Sequence, residues 1–150
     1  MKVLFRFICL LLISCTAGRI PVQNPCSVKL ASGGYNKISD SAFVIEMKGL
    51  GRTYLNFIID SCQRLNSGEI NLTGHITFAG DVIAGNERKM PDVDIIQAAQ
   101  TDKRMLRYMQ YLGKTDQTGK FDIKLNVSKK DVFILLDKQN FNYTSIQLSF

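Results

Sequence analysis

The chain has 150 residues, of which 45% are hydrophobic, and 19 Lys and Arg against 13 Asp and Glu give a formal charge of +6. This length suits a single domain that buries a core without metals or many disulfides. The basic residues are scattered rather than gathered into a stripe, so we expect no nucleic-acid partner. We also expect no transmembrane span, because the N-terminal apolar run is shorter than the roughly 20 residues that a spanning helix needs.

Residues 1–18 predict a secretory signal peptide. Two basic residues, a short apolar stretch and a run of small residues follow each other in the order that signal peptidase substrates show. These are Lys2 and Arg6, then Phe7 to Ile13, then Cys15 to Gly18. We therefore expect a mature, extracellular domain of residues 19–150. Its formal charge is +4, because two of the basic residues leave with the signal.

A competing interpretation of the N-terminus is a bacterial lipoprotein. Leu12 to Cys15 resembles a lipobox, in which Cys15 would carry acyl chains and anchor the protein in an envelope membrane. Three Asn-x-Ser/Thr sequons favour eukaryotic secretion and predict N-glycosylation instead. The sequon asparagines are Asn71, Asn126 and Asn142.

Two cysteines remain after the signal is removed, because Cys9 and Cys15 lie within it. An even number of cysteines in an oxidising compartment indicates a disulfide. We therefore predict a bond between Cys26 and Cys62, which would close a loop of about 36 residues.

The first half of the mature chain predicts strands. Residues 19–25 contain two prolines and should be extended, and the glycines within residues 32–40 predict a loop. Residues 42–48 alternate, with Phe43, Ile45 and Met47 on one face, and a turn connects them to a second strand at 53–60. This pair predicts a β-hairpin.

Residues 69–83 show the clearest alternation in the chain. Apolar residues fall on one parity and polar residues on the other, which is typical of a strand with one buried face. Gly74 and Gly80 lie on the apolar parity, so we expect a bulge or bend at one of them.

Residues 91–112 predict the one helix, with the alternative that Thr101 caps a second helix and splits the region in two. Pro91 suits a first turn, Asp92 and Asp94 would favour the positive end of the helix dipole, and Gly113 would end the helix. Apolar residues recur at helical spacing, namely Ile95, Ile96, Ala99, Leu106, Met109 and Leu112. The opposite face would carry Lys103, Arg104 and Arg107 beside Tyr108 and Tyr111, and we interpret it as a solvated face rather than a docking site.

Strand patterns return after a polar turn at residues 115–119. Residues 121–127 alternate, residues 132–136 form a continuous apolar run typical of a strand covered on both faces, and residues 143–150 alternate again. The predicted fold class is therefore mainly β with a helical insertion. It would be an antiparallel β-sandwich or open barrel of six to seven strands and one helix.

Side chains that could carry catalysis are sparse. His75 is the single histidine, on the polar face of its predicted strand, and nothing near it in sequence resembles a nucleophile motif. Asp92 and Asp94 are better explained by the predicted helix start than by a divalent metal. We predict no catalytic residues, no metal site and no cofactor.

Aromatic residues on the predicted apolar faces could either fill the core or line a pocket for an apolar ligand. Both roles place similar residues at the same positions. The candidates are Phe43, Phe57, Phe78, Phe121 and Phe133.

Residues 43–65 include a predicted strand that ends in Asp60-Ser61-Cys62, followed by a basic and an apolar residue, with Leu55 ahead of them. This segment resembles a group of insect secreted proteins associated with the ML-type lipid-recognition β-sandwiches. The resemblance implies a secreted β-sandwich, although the later Cys-Pro motif and the further cysteines of that group are absent. We therefore expect a secreted, glycosylated, non-enzymatic protein that binds an extracellular protein or a small apolar ligand, with the acylated lipoprotein as the alternative.

Overall fold

The computed structural model describes residues 24–47, 53–65, 68–79, 88–100, 106–127, 131–138 and 141–150. These ranges contain twelve β-strands and no helix. The strands are β1 (Asn24–Pro25), β2 (Lys29–Ser32), β3 (Tyr35–Ser39), β4 (Ala42–Met47), β5 (Thr53–Arg64), β6 (Glu69–Phe78), β7 (Arg88–Lys89), β8 (Asp94–Gln100), β9 (Leu106–Lys114), β10 (Lys120–Asn126), β11 (Asp131–Lys138) and β12 (Phe141–Ser149).

The strands form two antiparallel sheets. Sheet 1 has the order β10-β6-β5-β4-β3, with the short β1 paired to β5 and the short β7 paired to β6. Sheet 2 has the order β2-β12-β11-β8-β9. This arrangement confirms the predicted β class and is consistent with a β-sandwich. The predicted count of six to seven strands is wrong.

One hydrophobic core joins the inward faces of both sheets. Its largest fully buried side chains include Phe43, Phe57 and Ile45 from sheet 1 and Ile95 and Ile134 from sheet 2. Burial of such side chains contributes roughly 1.5–3 kcal/mol each relative to exposure. The core therefore supplies the main force that holds the sheets together.

Strands with clear alternation lie where the sequence predicts them. Within β4, Phe43, Ile45 and Met47 are buried, and β10 alternates between exposed and buried residues along its whole length. The alternation of β6 also has its apolar parity in the core. The predicted loop at residues 32–40, in contrast, contains β3, which pairs with β4.

The predicted helix over residues 91–112 is wrong. Its described residues form β8 and β9, which pair with each other, and Asp92 lies ahead of β8 with a φ of 56° rather than in a first helical turn. Two register shifts place Met109 and Leu112 as extra residues in β9. Because each bulge adds one residue to a period of two, side chains in β9 recur every three residues and imitate helical spacing. Within the described ranges, no helix is long and apolar enough to cross a membrane.

Gly33 marks the point at which the chain leaves sheet 2 and enters sheet 1. Its φ is +96°, which favours glycine, and a Cβ at this position would lie 2.9 Å from the Cα of Ile146. The close approach of β12 therefore requires a residue without a side chain at this corner.

A bulge in β5 lies directly opposite Gly74. Ile59 pairs with Gly74 and Ser61 pairs with Thr73, which leaves Asp60 as the extra residue. A Cβ on Gly74 would lie 2.5 Å from the Phe121 ring, so the glycine makes room for that ring. The bulge predicted at Gly74 or Gly80 lies instead in the partner strand β5, opposite Gly74.

Thr115 connects the corner ahead of β8 to the turn between β9 and β10. Its buried hydroxyl donates a hydrogen bond to the Met90 carbonyl oxygen at 2.7 Å and accepts one from the Val93 amide at 2.9 Å. Asp116 then caps the turn, because its carboxylate accepts hydrogen bonds from the Thr118 hydroxyl and amide and from the Lys120 amide. These bonds lower the pKa of Asp116.

We expect Thr115→Val to lower the free energy of unfolding by about 1–3 kcal/mol, since it leaves a buried carbonyl and a buried amide without partners. Urea unfolding followed by circular dichroism measures the change. Thr118→Val is the matched control, because it removes a hydroxyl of the same turn whose single hydrogen bond, to Asp116, is exposed to solvent. An equal loss in both variants would contradict the role assigned to Thr115.

Candidate functional site

The outward side of sheet 2 carries an apolar surface on β8, β9 and β11, bordered by polar residues of β12. In β11, Val132, Ile134 and Leu136 belong to the core, so Phe133 and Leu135 point away from it. Residues directly opposite each other on paired strands share a face, so the surface continues on both neighbours of β11. We call this surface the sheet 2 outer face. Its members are Ile96, Ala98, Tyr108, Tyr111, Phe133, Leu135, Ser145 and Gln147.

Two cross-strand rows make up this face. One row runs from Tyr111 through Ile96 and Leu135 to Ser145, and the next row contains Tyr108, Ala98, Phe133 and Gln147. Ile96, Phe133 and Leu135 are half-buried, and Ala98, between Tyr108 and Phe133, is buried. The run at 132–136 was predicted to be covered on both faces, and among the described residues its second face is only partly covered.

Bulges in β9 place both tyrosines on the same face. Tyr108 and Tyr111 are three residues apart, so in a regular strand they would point to opposite sides. The extra residue Met109 corrects the parity, and Tyr108 is 57% and Tyr111 47% exposed. The prediction that these two tyrosines share one face is right, but the predicted helix that carries them is wrong. The predicted role of that face is exposure to solvent.

One tyrosine is tied to the neighbouring strand. The Tyr111 hydroxyl donates a hydrogen bond to Asp94 Oδ1 at 3.2 Å. Desolvation, followed by the negative charge of Asp94 and this hydrogen bond, raises the pKa of Tyr111. The hydrogen bond thus holds the half-exposed ring next to β8.

Gln97 fixes the inward side of β8 and was missed by the sequence analysis. It is buried, its side-chain amide donates to the Asn126 carbonyl oxygen at 2.7 Å, and its carbonyl accepts from the Asn126 amide at 3.2 Å. This pair of bonds joins β8 in sheet 2 to β10 in sheet 1. A glutamine inside a predicted helix gave no signal of that contact.

The outward side of β10 in sheet 1 is charged and polar, whereas β3, β4 and β5 carry exposed Tyr35 and half-buried Val44, Tyr54 and Ile58 on the same side of the sheet. Lys120, Asp122, Lys124 and Asn126 alternate along β10 and are all exposed. An open pocket of about 470 Å³ lies where β5, β6 and β10 adjoin the end of β9 and the turn after it. Its charged lining is Asp60, Lys114, Asp116, Lys120 and Asp122.

His75 and Asp60 form the nearest approach to catalytic geometry. His75 Nδ1 lies 3.1 Å from Asp60 Oδ2, and both side chains are partly exposed. A nucleophilic mechanism also needs a hydroxyl or thiol on the second ring nitrogen, and no described residue hydrogen-bonds there. The Ser61 and Thr73 hydroxyls bond to each other instead, at 2.8 Å. Within the described ranges, no group of three or more His, Cys, Asp or Glu residues could hold a metal ion.

The sequons divide between described and undescribed side chains. Asn71 in β6 is half-buried, and Lys124 lies directly opposite it in β10. Asn126 is exposed two residues further along β10, so both asparagines lie on the outward side of sheet 1. The backbone of Asn142 belongs to β12, and its side chain lies outside the described residues.

The five candidate phenylalanines occupy three environments. Phe43 and Phe57 are fully buried, and Phe57 stacks on the buried Phe121 with ring centroids 5.1 Å apart. Phe78 is partly buried against the core, whereas Phe133 is on the sheet 2 outer face. Three of the candidates therefore pack in the core, one lies at its margin and one points outward.

The predicted disulfide between Cys26 and Cys62 is confirmed, and it attaches the N-terminal segment to β5. The signal peptide at residues 1–18 and the lipobox cysteine Cys15 lie outside the described residues and stay predictions. A comparison of the chain with protein-family models, curated proteins and solved structures finds no match. The resemblance of residues 43–65 to the insect secreted group likewise stays a prediction.

Proposed function

We propose that this chain is a secreted, glycosylated, non-enzymatic protein that binds another protein through the sheet 2 outer face. The observation that carries the proposal is the cluster of apolar and aromatic side chains on the outward side of sheet 2. Half-buried Ile96, Phe133 and Leu135 lie there beside two exposed tyrosines, whereas β10 at the edge of sheet 1 presents alternating charges. Exposed apolar clusters edged by tyrosine are typical of protein interfaces.

A protein partner suits this surface better than a small apolar ligand. Sites for small ligands are concave and enclose most of the ligand, whereas the sheet 2 outer face is one side of a β-sheet. The interior is a packed core in which Phe57 stacks on Phe121 with ring centroids 5.1 Å apart. These observations favour the protein-binding form of the function predicted from sequence.

Two features of the structure are compatible with secretion and glycosylation. The Cys26–Cys62 disulfide is the kind that persists in oxidising compartments. Asn126 is exposed and Asn71 is half-buried, so neither asparagine is enclosed in the core. Glycans at these two sites would cover the outward side of sheet 1 and leave sheet 2 free.

We expect the protein secreted from cultured insect cells to lose mass on treatment with an endoglycosidase that releases N-glycans. Asn71→Gln and Asn126→Gln should each remove one glycan, because each substitution abolishes one sequon while its neighbours remain. Intact-mass spectrometry measures both effects. The control is Gln110→Asn, because Gln110 is exposed on β9 and the substitution creates no sequon. Asn56 is unsuitable as a control position because it is buried. An unchanged mass after the enzyme treatment would remove glycosylation from the proposal.

A photo-crosslinking amino acid at position 108 tests the binding surface. In extracellular fluid of the source tissue, we expect it to form an adduct of one defined mass. The same amino acid at Tyr35 is the control, because Tyr35 is 68% exposed on β3 in sheet 1. The position 108 adduct should disappear when Phe133→Arg is added, since a charge at the centre of an apolar interface is costly.

Native mass spectrometry separates the protein-binding form from the lipid-binding form. A bound lipid at one molecule per chain, together with no adduct specific to position 108, would contradict a protein partner. Incorporation of a labelled fatty acid at Cys15 would instead support the lipoprotein alternative.

A further inference from the structure

Two carboxylates lie side by side at one end of the sheet 2 outer face. Asp94 in β8 and Asp137 in β11 are directly opposite in the register, so they share that face. Like charges directly opposite each other destabilise a sheet. Asp92, just ahead of β8, adds a third carboxylate at this end.

Two cations lie nearby, and one of them, Lys114, is directly opposite Asp94 in the register of β8 with β9. Lys114 Nζ lies 3.3 Å from Asp92 Oδ1, and Lys138 Nζ donates a hydrogen bond to the Pro91 carbonyl oxygen at 2.6 Å. Asp94 accepts the Tyr111 hydroxyl, while no described residue forms an ion pair or hydrogen bond with the Asp137 carboxylate. Among the described residues at this end of the apolar surface, three carboxylates therefore face two ammonium groups, which leaves one net negative charge.

The carboxylates continue the spacing of the apolar rows. Along β8, Asp94, Ile96 and Ala98 are two residues apart, and along β11 the corresponding residues are Asp137, Leu135 and Phe133. Successive rows are thus about 6.7 Å apart, which is also the distance between alternate side chains of an extended peptide. A basic residue over the carboxylates would place the next two alternate residues of such a peptide over the apolar rows.

Tyr111 adds a second contact for a cation. Its ring is 47% exposed and lies in the row next to the carboxylates. An Arg guanidinium between this ring and the carboxylates would gain both a charge-assisted hydrogen bond and a cation–π contact.

We propose that the sheet 2 outer face binds an extended protein segment of the pattern basic-x-apolar-x-apolar, whose basic side chain is received by Asp94 and Asp137. This proposal rests on the proposed function, because it names the chemistry of the partner at that same surface. The negative charge at the end of the surface favours a basic residue in the partner. The distance between the rows favours apolar residues at alternate positions of an extended segment.

The test uses three synthetic peptides and the full chain as purified, labelled with ¹⁵N. The probes are acetyl-Arg-Ser-Val-Ser-Leu-amide and its versions with Gln or Glu in place of Arg. We expect the Arg probe to shift amide resonances of β8, β9 and β11 with a Kd on the order of 1 mM, as suits so few contacts. The Glu probe should bind at least fivefold more weakly, and added salt should reduce the difference.

Substitutions locate the contact. Asp137→Asn should weaken the Arg probe about fivefold and leave the Gln probe unchanged, because only the charge is removed. Asp122→Asn is the matched control, since Asp122 is an exposed carboxylate on the outward side of sheet 1. Tyr108→Ser should weaken all three probes, and circular dichroism verifies that each variant is folded.

The outcomes distinguish the proposed peptide pattern from the proposed function, which is protein binding at the sheet 2 outer face. Equal binding of the Arg, Gln and Glu probes at β8 and β11 would overturn the basic pattern and leave the docking face intact. Absence of shifts on sheet 2 with every probe, together with no adduct from position 108, would overturn both. Concentration-dependent dimerisation in sedimentation experiments that Tyr108→Ser abolishes would overturn the proposal as well, because a second copy would then be the occupant.

Discussion

Phe57→Ala is expected to lower the free energy of unfolding by about 3–5 kcal/mol. The Phe57 side chain is fully buried and its ring stacks on Phe121 at a centroid distance of 5.1 Å with an interplanar angle of 16°. Truncation removes the buried ring and leaves a cavity that β5 and its neighbours cannot close, because β5 is paired on both sides. The Phe121 ring also loses its stacking partner.

Urea unfolding monitored by circular dichroism measures this loss, and Phe133→Ala is the matched control. Phe133 is half-buried on the sheet 2 outer face, so its truncation leaves no enclosed cavity and should cost about 1 kcal/mol or less. A loss below about 1 kcal/mol for Phe57→Ala would mean that the ring borders empty space. That result would favour the lipid-binding form of the function over the protein-binding form.

Alternation along single strands made part of the fold predictable. In β4, β6 and β10 one parity is apolar and enters the core, so the pattern reports the burial directly. The disulfide was predictable because only Cys26 and Cys62 remain after residues 1–18. None of these features depends on which strand lies beside which.

Features that depend on strand pairing were not predictable. The bulges at Met109 and Leu112 change the spacing of side chains on one face of β9 from two residues to about three. In the sequence this spacing resembles that of a helix. The contact between Gln97 and the Asn126 backbone joins residues 29 positions apart on different sheets. Nothing local in sequence distinguishes either case from an ordinary surface helix.

The candidate site was hidden for the same reason. Phe133 and Leu135 belong to a continuous apolar run, which is equally compatible with a strand covered on both faces. Only the register, which places Tyr108 and Tyr111 in the same rows as Phe133 and Leu135 through Ala98 and Ile96, reveals one outward surface. The carboxylates Asp94 and Asp137 are 43 positions apart in the chain, and only the pairing of β8 with β11 brings them together.

The double variant Cys26→Ser/Cys62→Ser is expected to lose about 3–4 kcal/mol of unfolding free energy. The disulfide spans 36 positions, so its removal restores conformational entropy to the unfolded chain. In the native state the Cys26 amide also donates to the Cys62 carbonyl oxygen at 3.1 Å, next to the short pairing of β1 with β5. That hydrogen bond should weaken when the covalent connection is lost, since only two residues of β1 remain to hold the segment.

Urea unfolding with and without a thiol reductant measures the effect. The wild-type chain should lose stability in reductant by about as much as the double variant loses, and the double variant should not respond to reductant at all. Equal stability of wild type with and without reductant would contradict the role of the disulfide. Domains of this size are stable by about 5–15 kcal/mol, so a loss of this size is a large fraction of the total. A chain that depends on the disulfide to this extent would be fully stable only where the bond persists, which is the oxidising environment that the proposed secretion supplies.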